Sequence, residues 1–225
     1  DIYEKLVKGY TEKQWGKPAT ELPAFIIRRL PFRFAFNNNY FDDPFQGIPI
    51  GGYNILIDKL LDGIETRVNT NYFLNRVFWE NKAKKILFTG PLDEFFNYRF
   101  GRLEYRSLRF ETKELESSNY QGNAAINYTD KYIPFTRVIE HKHFEYGIQP
   151  STVVTWEFPE EYSNKKEPYY PVNSSVNNII FQKYIEYSKT QKRYLFGGRL
   201  GSYKYYDMDD TIEAAILDSK KEINI

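Results

Sequence analysis

A run of β-prone segments between residues 66 and 158 constrains the fold of this chain more than any other feature. Within residues 136–143 the side chains alternate between two faces, which is typical of an antiparallel sheet with one solvated or ligand-lined face. Helical patterns interrupt and flank the run, so the sequence predicts an α+β fold in which helices flank a largely antiparallel sheet. Strands are predicted at residues 32–36, 66–73, 85–89, 103–115, 124–128, 136–143 and 152–158.

The helical patterns divide the chain into two parts. Residues 1–50 are expected to be the tail of a helical element, and residues 51–225 a domain built on an antiparallel sheet. Pro23 and Pro31 bound a short helix or mobile loop, and Asn173 is a plausible N-cap of the helix that follows it. Helices are predicted at residues 2–14, 51–63 and 172–188, with a helical turn at residues 90–96.

The C-terminal segment reads as a strand, a glycine turn and a helix. Tyr194–Phe196 is β-prone, and glycines at 197, 198 and 201 allow a tight turn and a close approach of the backbone to another group. Asp207 or Asp209 caps the helix that follows. Free backbone N–H groups in such a turn suit a phosphate, and Arg199 adds a cation. An ordinary strand-to-helix connection explains the turn equally well.

Composition argues against several classes of function. The net charge is +1, with 31 basic and 30 acidic residues, so no general field attracts nucleic acid or an anionic membrane. The chain has no cysteine, which removes disulfides, thiolate catalysis and cysteine zinc sites. His141 and His143 share a predicted strand face, but no third metal ligand has suitable spacing. We therefore expect a cytoplasmic protein without a metal and without a nucleic-acid or membrane partner.

Six sequence blocks, in order and spanning almost the whole chain, resemble the UDP-galactopyranose mutase family. They are YTEKQWG (10–16), NNNYFDDPFQGIPIGGY (37–53), QGNAAINYTD (121–130), PFTRVIEHKHF (134–144), PYYPV (168–172) and FGGRLGSYKYYDMDDTI (196–212). Family membership implies a flavin-dependent isomerase that interconverts UDP-galactopyranose and UDP-galactofuranose. Reduced FAD would act through a covalent adduct between the flavin N5 and the sugar, and UDP would leave and return.

The resemblance also implies what this chain contributes. The sequence holds no Gly-x-Gly-x-x-Gly motif, and the family places its dinucleotide-binding segment upstream of Asp1. The chain is therefore expected to carry mainly the site for UDP-galactose and UDP, and the later part of the FAD site. By the same resemblance residues 1–50 are the tail of a substrate domain with a mobile lid, and residues 51–225 are a substrate domain that ends in a flavin-contacting strand-turn-helix. A homodimer is possible by the same resemblance. Two alternatives remain open, a non-catalytic UDP-sugar-binding fragment and an oxidoreductase similar to the flavin amine oxidases.

Three arginines match family positions that are expected to act in catalysis. Arg29 and Arg137 match the two arginines that hold the diphosphate, and Arg199 matches an arginine beside the flavin and the sugar. A solvated basic pair with Arg28 would equally explain Arg29. An exposed charge on a sheet face would explain Arg137.

The other candidates are mostly aromatic. Tyr40, Tyr170 and Tyr205 match phosphate-binding tyrosines, with Tyr169 as an alternative to Tyr170, although core packing is the usual fate of a tyrosine. The remaining matches are Tyr10, Trp15 and Asn127 near the uridine or sugar, Tyr206, Asp207 and Met208 at the flavin, and Glu157 as a nearby acid. Asp207 is also explained as a plain N-cap, and the aromatic rings of Tyr10 and Trp15 as helix-face packing.

Overall fold

A computed structural model describes residues 1–23, 26, 34–37 and 39–223. Five strands form an antiparallel sheet in the order β3-β4-β5-β2-β6, and two further strands, β1 and β7, pair in parallel. The α+β prediction is thereby confirmed for the sheet and its helices. The strands are β1 Ile86–Phe88, β2 Tyr105–Leu115, β3 Ala125–Asn127, β4 Arg137–Glu140, β5 Thr152–Glu161, β6 Tyr170–Pro171 and β7 Tyr194–Phe196.

The N-terminal helix lies against the sheet and ends at a glycine. It starts as π-helical turns over Tyr3–Lys8 and continues as α1, Gly9–Trp15. Gly16 ends it with φ +65°, and its N–H donates to the Glu12 carbonyl. A Cβ at Gly16 would lie 2.7 Å from Nη1 of Arg106, whose Nε donates to the Gln14 carbonyl. Glycine is required there both by the backbone conformation and by this guanidinium.

The remaining helices flank the strands. A buried cluster of Leu92, Leu103, Tyr105, Tyr184 and Tyr203 packs the second half of the chain together. The α-helices are α2 Tyr53–Leu60, α3 Arg76–Lys82, α4 Leu92–Phe95, α5 Ser175–Ser188, α6 Gly198–Gly201 and α7 Met208–Glu222, and short 3₁₀ turns lie at Ala19–Glu21, Tyr72–Asn75 and His141–Glu145.

Three strand predictions were wrong in whole or in part, and two of them concern residues 66–73 and 136–143. Residues 66–73 form no strand. Their C-terminal end enters the 3₁₀ turn Tyr72–Asn75, where the Asn71 side chain accepts a hydrogen bond from the Phe73 N–H. A local side-chain bond of this kind competes with pairing in a sheet. β4 ends at Glu140, so His141 and His143 lie in a turn and do not share a strand face.

The predicted cap of α5 was also wrong. Ser174 is the N-cap, and its hydroxyl accepts from the Asn177 N–H at 3.2 Å. Asn173 instead donates from its side chain to the Tyr203 carbonyl at 2.9 Å. Asp207 does cap α7, as predicted, through a capping box with Asp210. The strand predicted at 32–36 was wrong where it can be compared, because residues 34–36 form a bend. The helix or loop predicted at 21–30 lies largely outside the described residues.

Candidate functional site

Arg137 lies at the centre of the candidate site, flanked by side chains on both neighbouring strands. It pairs in register with Asn127 on β3 and with Glu157 on β5. Its Nε donates to Oδ1 of Asn127 at 3.0 Å, and its Nη1 lies 3.8 Å from Oε2 of Glu157. The longer distance is an ion pair without a hydrogen bond.

Glu157 is a buried carboxylate, with 4% of its surface exposed. The hydroxyl of Thr136 donates to its Oε1 at 3.3 Å and to its carbonyl oxygen at 3.2 Å. Burial alone would lower the pKa of Arg137, but Glu157 and the phenols of Tyr10 and Tyr170 outweigh burial and raise it. Arg137 is therefore a cation at any physiological pH, with a charge that one buried carboxylate only partly offsets.

Two tyrosines border this cation. Burial is the main reason that the pKa values of Tyr10 and Tyr170 are raised, and the charge of Arg137 acts in the opposite direction. Both phenols therefore keep their protons and remain hydrogen-bond donors. A partly exposed guanidinium beside two phenol donors is suited to an anionic group such as a phosphate.

An aromatic cluster of Trp15, Tyr170 and Tyr205 continues the site. The rings of Tyr170 and Tyr205 are stacked, with centroids 5.2 Å apart and planes inclined by 8°. The Trp15 ring lies 6.2 Å from each of them, tilted by 49° and 46°. Trp15 is only 5% exposed and belongs to a buried cluster with Leu22. Its ring therefore packs against the two tyrosines from the protein interior.

Arg199 lies against the tyrosine stack. Its guanidinium carbon lies 4.9 Å from the centroid of Tyr205 and 5.6 Å from that of Tyr170. Its Nη1 donates to the Tyr169 carbonyl at 3.2 Å, and its Nε and Nη2 donate to the Tyr206 carbonyl. Arg199 thus joins the residue before β6 to the segment before α7 and leaves few donors for a ligand.

The glycine turn after β7 packs against the end of β1. A Cβ at Gly201 would lie 2.9 Å from the Phe88 carbonyl oxygen, and one at Gly198 would lie 3.3 Å from Cβ of Thr89. These two glycines therefore let the turn approach the end of β1. The ordinary-connection alternative explains this glycine pattern without a phosphate.

The other predicted residues lie at the margin or outside the described residues. Tyr169 donates to Glu167 at 3.3 Å and packs against Phe110, whereas its neighbour Tyr170 stacks on Tyr205. Tyr40 is 54% exposed and packs on Phe41, apart from the cluster. The three residues predicted to meet the flavin lie at the start of α7, and they are Tyr206, Asp207 and Met208. Met208 is 57% exposed. Arg29 lies outside the described residues.

Sequence reasoning overlooked Lys13, which lies on the same helix as Tyr10 and Trp15. Its ammonium donates to three backbone carbonyls near Arg137. A lysine in a charged, amphipathic helix gives no sequence signal of this kind, because its acceptors are 115 or more residues away in the chain.

The described residues offer no group of three or more His, Cys, Asp or Glu side chains arranged for a metal ion. Nε2 of His141 is hydrogen-bonded to Oγ1 of Thr155 at 2.8 Å, and Nε2 of His143 lies 3.1 Å from Oε2 of Glu140. Over the same described ranges, no helix is both long and apolar enough to cross a membrane.

Comparison with known proteins gives a consistent result. The UDP-galactopyranose mutase family matches residues 5–205. A probable UDP-galactopyranose mutase of Klebsiella pneumoniae is 39% identical over 220 residues, which is 96% of this chain and 56% of that protein. A dTDP-fucopyranose mutase of Escherichia coli is 38% identical, over 96% of this chain and 59% of that protein. A UDP-galactopyranose mutase of Mycoplasma genitalium is 32% identical, over 96% and 57%.

The fold and the site define an α+β protein with a cation and a tyrosine stack suited to an anionic ligand. The chain belongs to the UDP-galactopyranose mutase family, because the family match covers most of its length. It spans a little over half the length of the curated relatives that it matches.

Proposed function

We propose that this chain provides the nucleotide-sugar site of a mutase that interconverts UDP-galactopyranose and UDP-galactofuranose. The observation that carries the proposal is the position of Arg137 between Asn127 and Glu157, with the phenols of Tyr10 and Tyr170 beside it. A guanidinium with adjacent phenol donors can hold a diphosphate as the sugar–phosphate bond breaks and forms again. Family membership supplies the reaction.

In this proposal Arg137 and two tyrosines hold the diphosphate, and Arg199 positions the aromatic wall of the site. Tyr10 and Tyr170 donate to phosphate oxygens, and Tyr205 forms the aromatic wall of the site with Trp15 behind it. Arg199 holds that wall in place through the carbonyls of its neighbours. Arg29 and Tyr40 remain proposed diphosphate ligands on the resemblance alone, and Asn127 holds Nε of Arg137.

FAD is the proposed cofactor, and only part of its site would lie in this chain. When bound, the reduced flavin supplies the nucleophile for the anomeric carbon. The exposed side chain of Met208, the segment before α7 and the charge of Arg199 fit one edge of such a ring system. The capping box uses N–H groups at the start of α7, so that helix end is not a free phosphate site.

The proposal also specifies which base and which sugar the substrate contains. One relative is named for dTDP-fucopyranose at almost the same identity as the relative named for UDP-galactopyranose. The family as a whole is described by UDP-galactopyranose, and we take that as the substrate. The division at residue 50 and a homodimer are also proposals that rest on the resemblance, and cytoplasmic location is a proposal that rests on composition.

A titration of the purified chain with UDP, followed by calorimetry and by tryptophan fluorescence, tests the site. Saturable binding that Arg137→Ala weakens by about tenfold or more is expected, because the main cation of the site is lost. Arg99→Ala is the matched control, since Arg99 also lies against a tyrosine ring but is exposed and stands beside α5. Equal affinity in wild type and Arg137→Ala would exclude Arg137 as a diphosphate ligand.

The same titration with dTDP distinguishes a UDP-sugar from a dTDP-sugar as the substrate, and a turnover assay tests which reaction is catalysed. Tighter binding of UDP than of dTDP supports UDP-galactose. The reverse order would favour a dTDP-sugar. Adding reduced FAD and UDP-galactofuranose then tests isomerisation. UDP binding without turnover would favour the non-catalytic UDP-sugar-binding alternative for this chain, and release of an oxidised product would favour the oxidoreductase alternative.

A further inference from the structure

Lys13 holds three backbone carbonyls with one ammonium group. Its Nζ lies 2.8 Å from the carbonyl oxygen of Tyr128, 3.0 Å from that of Ile133 and 2.9 Å from that of Phe135. A lysine ammonium has three N–H donors, and each has its own acceptor here. The side chain is therefore fixed at its charged end, unlike a solvated surface lysine.

The same face of α1 meets the same loop a second time, one helical turn earlier. Gly9 precedes Lys13 by four residues, so the two share a face. A Cβ at Gly9 would lie 2.3 Å from the Thr129 carbonyl oxygen and 3.1 Å from the Lys131 nitrogen. At this point α1 and the loop touch backbone to backbone, and no side chain fits between them.

This loop connects the two strands that build the centre of the site. It runs from the end of β3 at Asn127 to the start of β4 at Arg137, and those two residues pair in register. The helix that Lys13 fixes to the loop also carries Tyr10, whose phenol borders Arg137, and Trp15, which supports Tyr170. A shift of α1 against the loop would therefore separate Tyr10 from Arg137.

We propose that Lys13 is a positioning residue of the nucleotide-sugar site, because its three carbonyl contacts fix the distance between Tyr10 and Arg137. The inference rests on the proposed function, since it concerns the same site. Lys13 itself points its donors into the loop and is assigned no contact with substrate.

Lys142 provides a matched control within the same sheet. Its ammonium also donates to three backbone carbonyls, those of Ser118, Gln149 and Ser151. It follows the far end of β4, five residues after Arg137. Replacing Lys142 removes the same kind of contact and costs stability, but it leaves α1 and the loop 128–136 untouched.

The experiment compares Lys13→Met with Lys142→Met by UDP calorimetry, thermal unfolding and hydrogen exchange. Lys13→Met is expected to weaken UDP binding by about tenfold, because small displacements in a site cost large factors. Lys142→Met should leave the affinity within about twofold. Exchange should rise in residues 9–15 and 128–136 for Lys13→Met, and in residues 118–121 and 149–152 for Lys142→Met.

An equal loss of UDP affinity in both variants, or normal affinity in Lys13→Met, would overturn the proposal. If Lys13→Met does not fold, Lys13→Arg replaces it, because a planar guanidinium keeps the charge but cannot direct three donors at these carbonyls. Normal affinity in Lys13→Arg would count against the geometry proposed. Failure of the wild type to bind UDP would instead contradict the proposed function. In that case hydrogen exchange still tests Lys13 separately, because unchanged exchange of residues 9–15 in Lys13→Met would refute its positioning role.

Discussion

Arg137 and Glu157 face each other on adjacent antiparallel strands, with 3.8 Å between Nη1 and Oε2. Glu157 is almost fully buried and held by Thr136, whereas the guanidinium is also held by Asn127 from the opposite strand. The carboxylate thus keeps Arg137 in position without a tight ion pair. Such an arrangement leaves the guanidinium of Arg137 able to bind a second anion that carries more negative charge, such as a diphosphate.

We predict that Glu157→Gln tightens UDP binding by about three- to tenfold at low salt. The substitution keeps the shape of the side chain and removes the charge that competes with a diphosphate for Arg137. Calorimetry at two ionic strengths measures the effect. Glu160→Gln on the same strand, where Glu160 pairs with Arg109 and Lys166, should leave UDP affinity unchanged. Weaker binding by Glu157→Gln would mean that the carboxylate orients Arg137 more than it competes.

Trp15 is expected to matter more for stability than for binding. Because its ring is buried behind Tyr170 and Tyr205, Trp15→Phe should lower the free energy of unfolding by about 1–3 kcal/mol. UDP affinity measured by calorimetry should fall by less than about tenfold. Trp156→Phe, at a tryptophan that packs on Tyr120, is the control for UDP affinity. A large loss of affinity at unchanged stability would place Trp15 against the nucleotide.

Gly201 is predicted to be required for packing. Gly201→Ala places a Cβ 2.9 Å from the Phe88 carbonyl oxygen, so the turn must move away from β1. Denaturant unfolding should show a loss of about 1–3 kcal/mol, with UDP affinity unchanged. Gly47→Ala, where no atom lies within 4 Å of the new Cβ, should be neutral. A specific loss of ligand binding in Gly201→Ala would restore the ligand-approach interpretation of the turn.

Glu140 is expected to make the fold sensitive to acid. It is fully buried, and burial opposes its ionisation, but the N–H groups of Tyr120 and Gln121, the Thr152 hydroxyl and His143 outweigh burial and lower its pKa to about 2. A carboxylate with a pKa below its unfolded value of 4.5 stabilises the fold above that pH. That contribution is lost as pH falls from about 4.5 to about 2.

Glu140→Gln should therefore be less stable at pH 7 by about 3 kcal/mol, the free energy that corresponds to the pKa difference. Its unfolding free energy should also change less than that of the wild type between pH 4.5 and pH 2. Glu116→Gln, at an exposed glutamate, serves as the control. Equal acid sensitivity of wild type and Glu140→Gln would assign the pH dependence to other groups.

Sequence patterns predicted the elements whose signal is local. Alternation found β4, and β-prone runs found β2 and most of β5. The acidic start of α7 offered Asp207 and Asp209 as caps, and Asp207 is the cap. The pattern failed at residues 66–73, where β-prone residues lack a strand partner and the Asn71 side chain bonds its own backbone. It also placed the cap of α5 at Asn173 instead of Ser174, because the Asn173 side chain bonds the Tyr203 carbonyl, which lies far along the chain.

The sequence by itself determined the family, the α+β class and the presence of arginines and tyrosines suited to a diphosphate. Only the tertiary structure decided which of them meet, because Tyr10, Arg137 and Tyr170 come from elements far apart in the chain and are brought together by strand register and by the docking of α1. It likewise separated Tyr170 from Tyr169 and assigned the glycines of the turn to packing on β1. Long-range carbonyl contacts such as those of Lys13 have no local sequence signal, since their acceptors are backbone atoms that any residue provides.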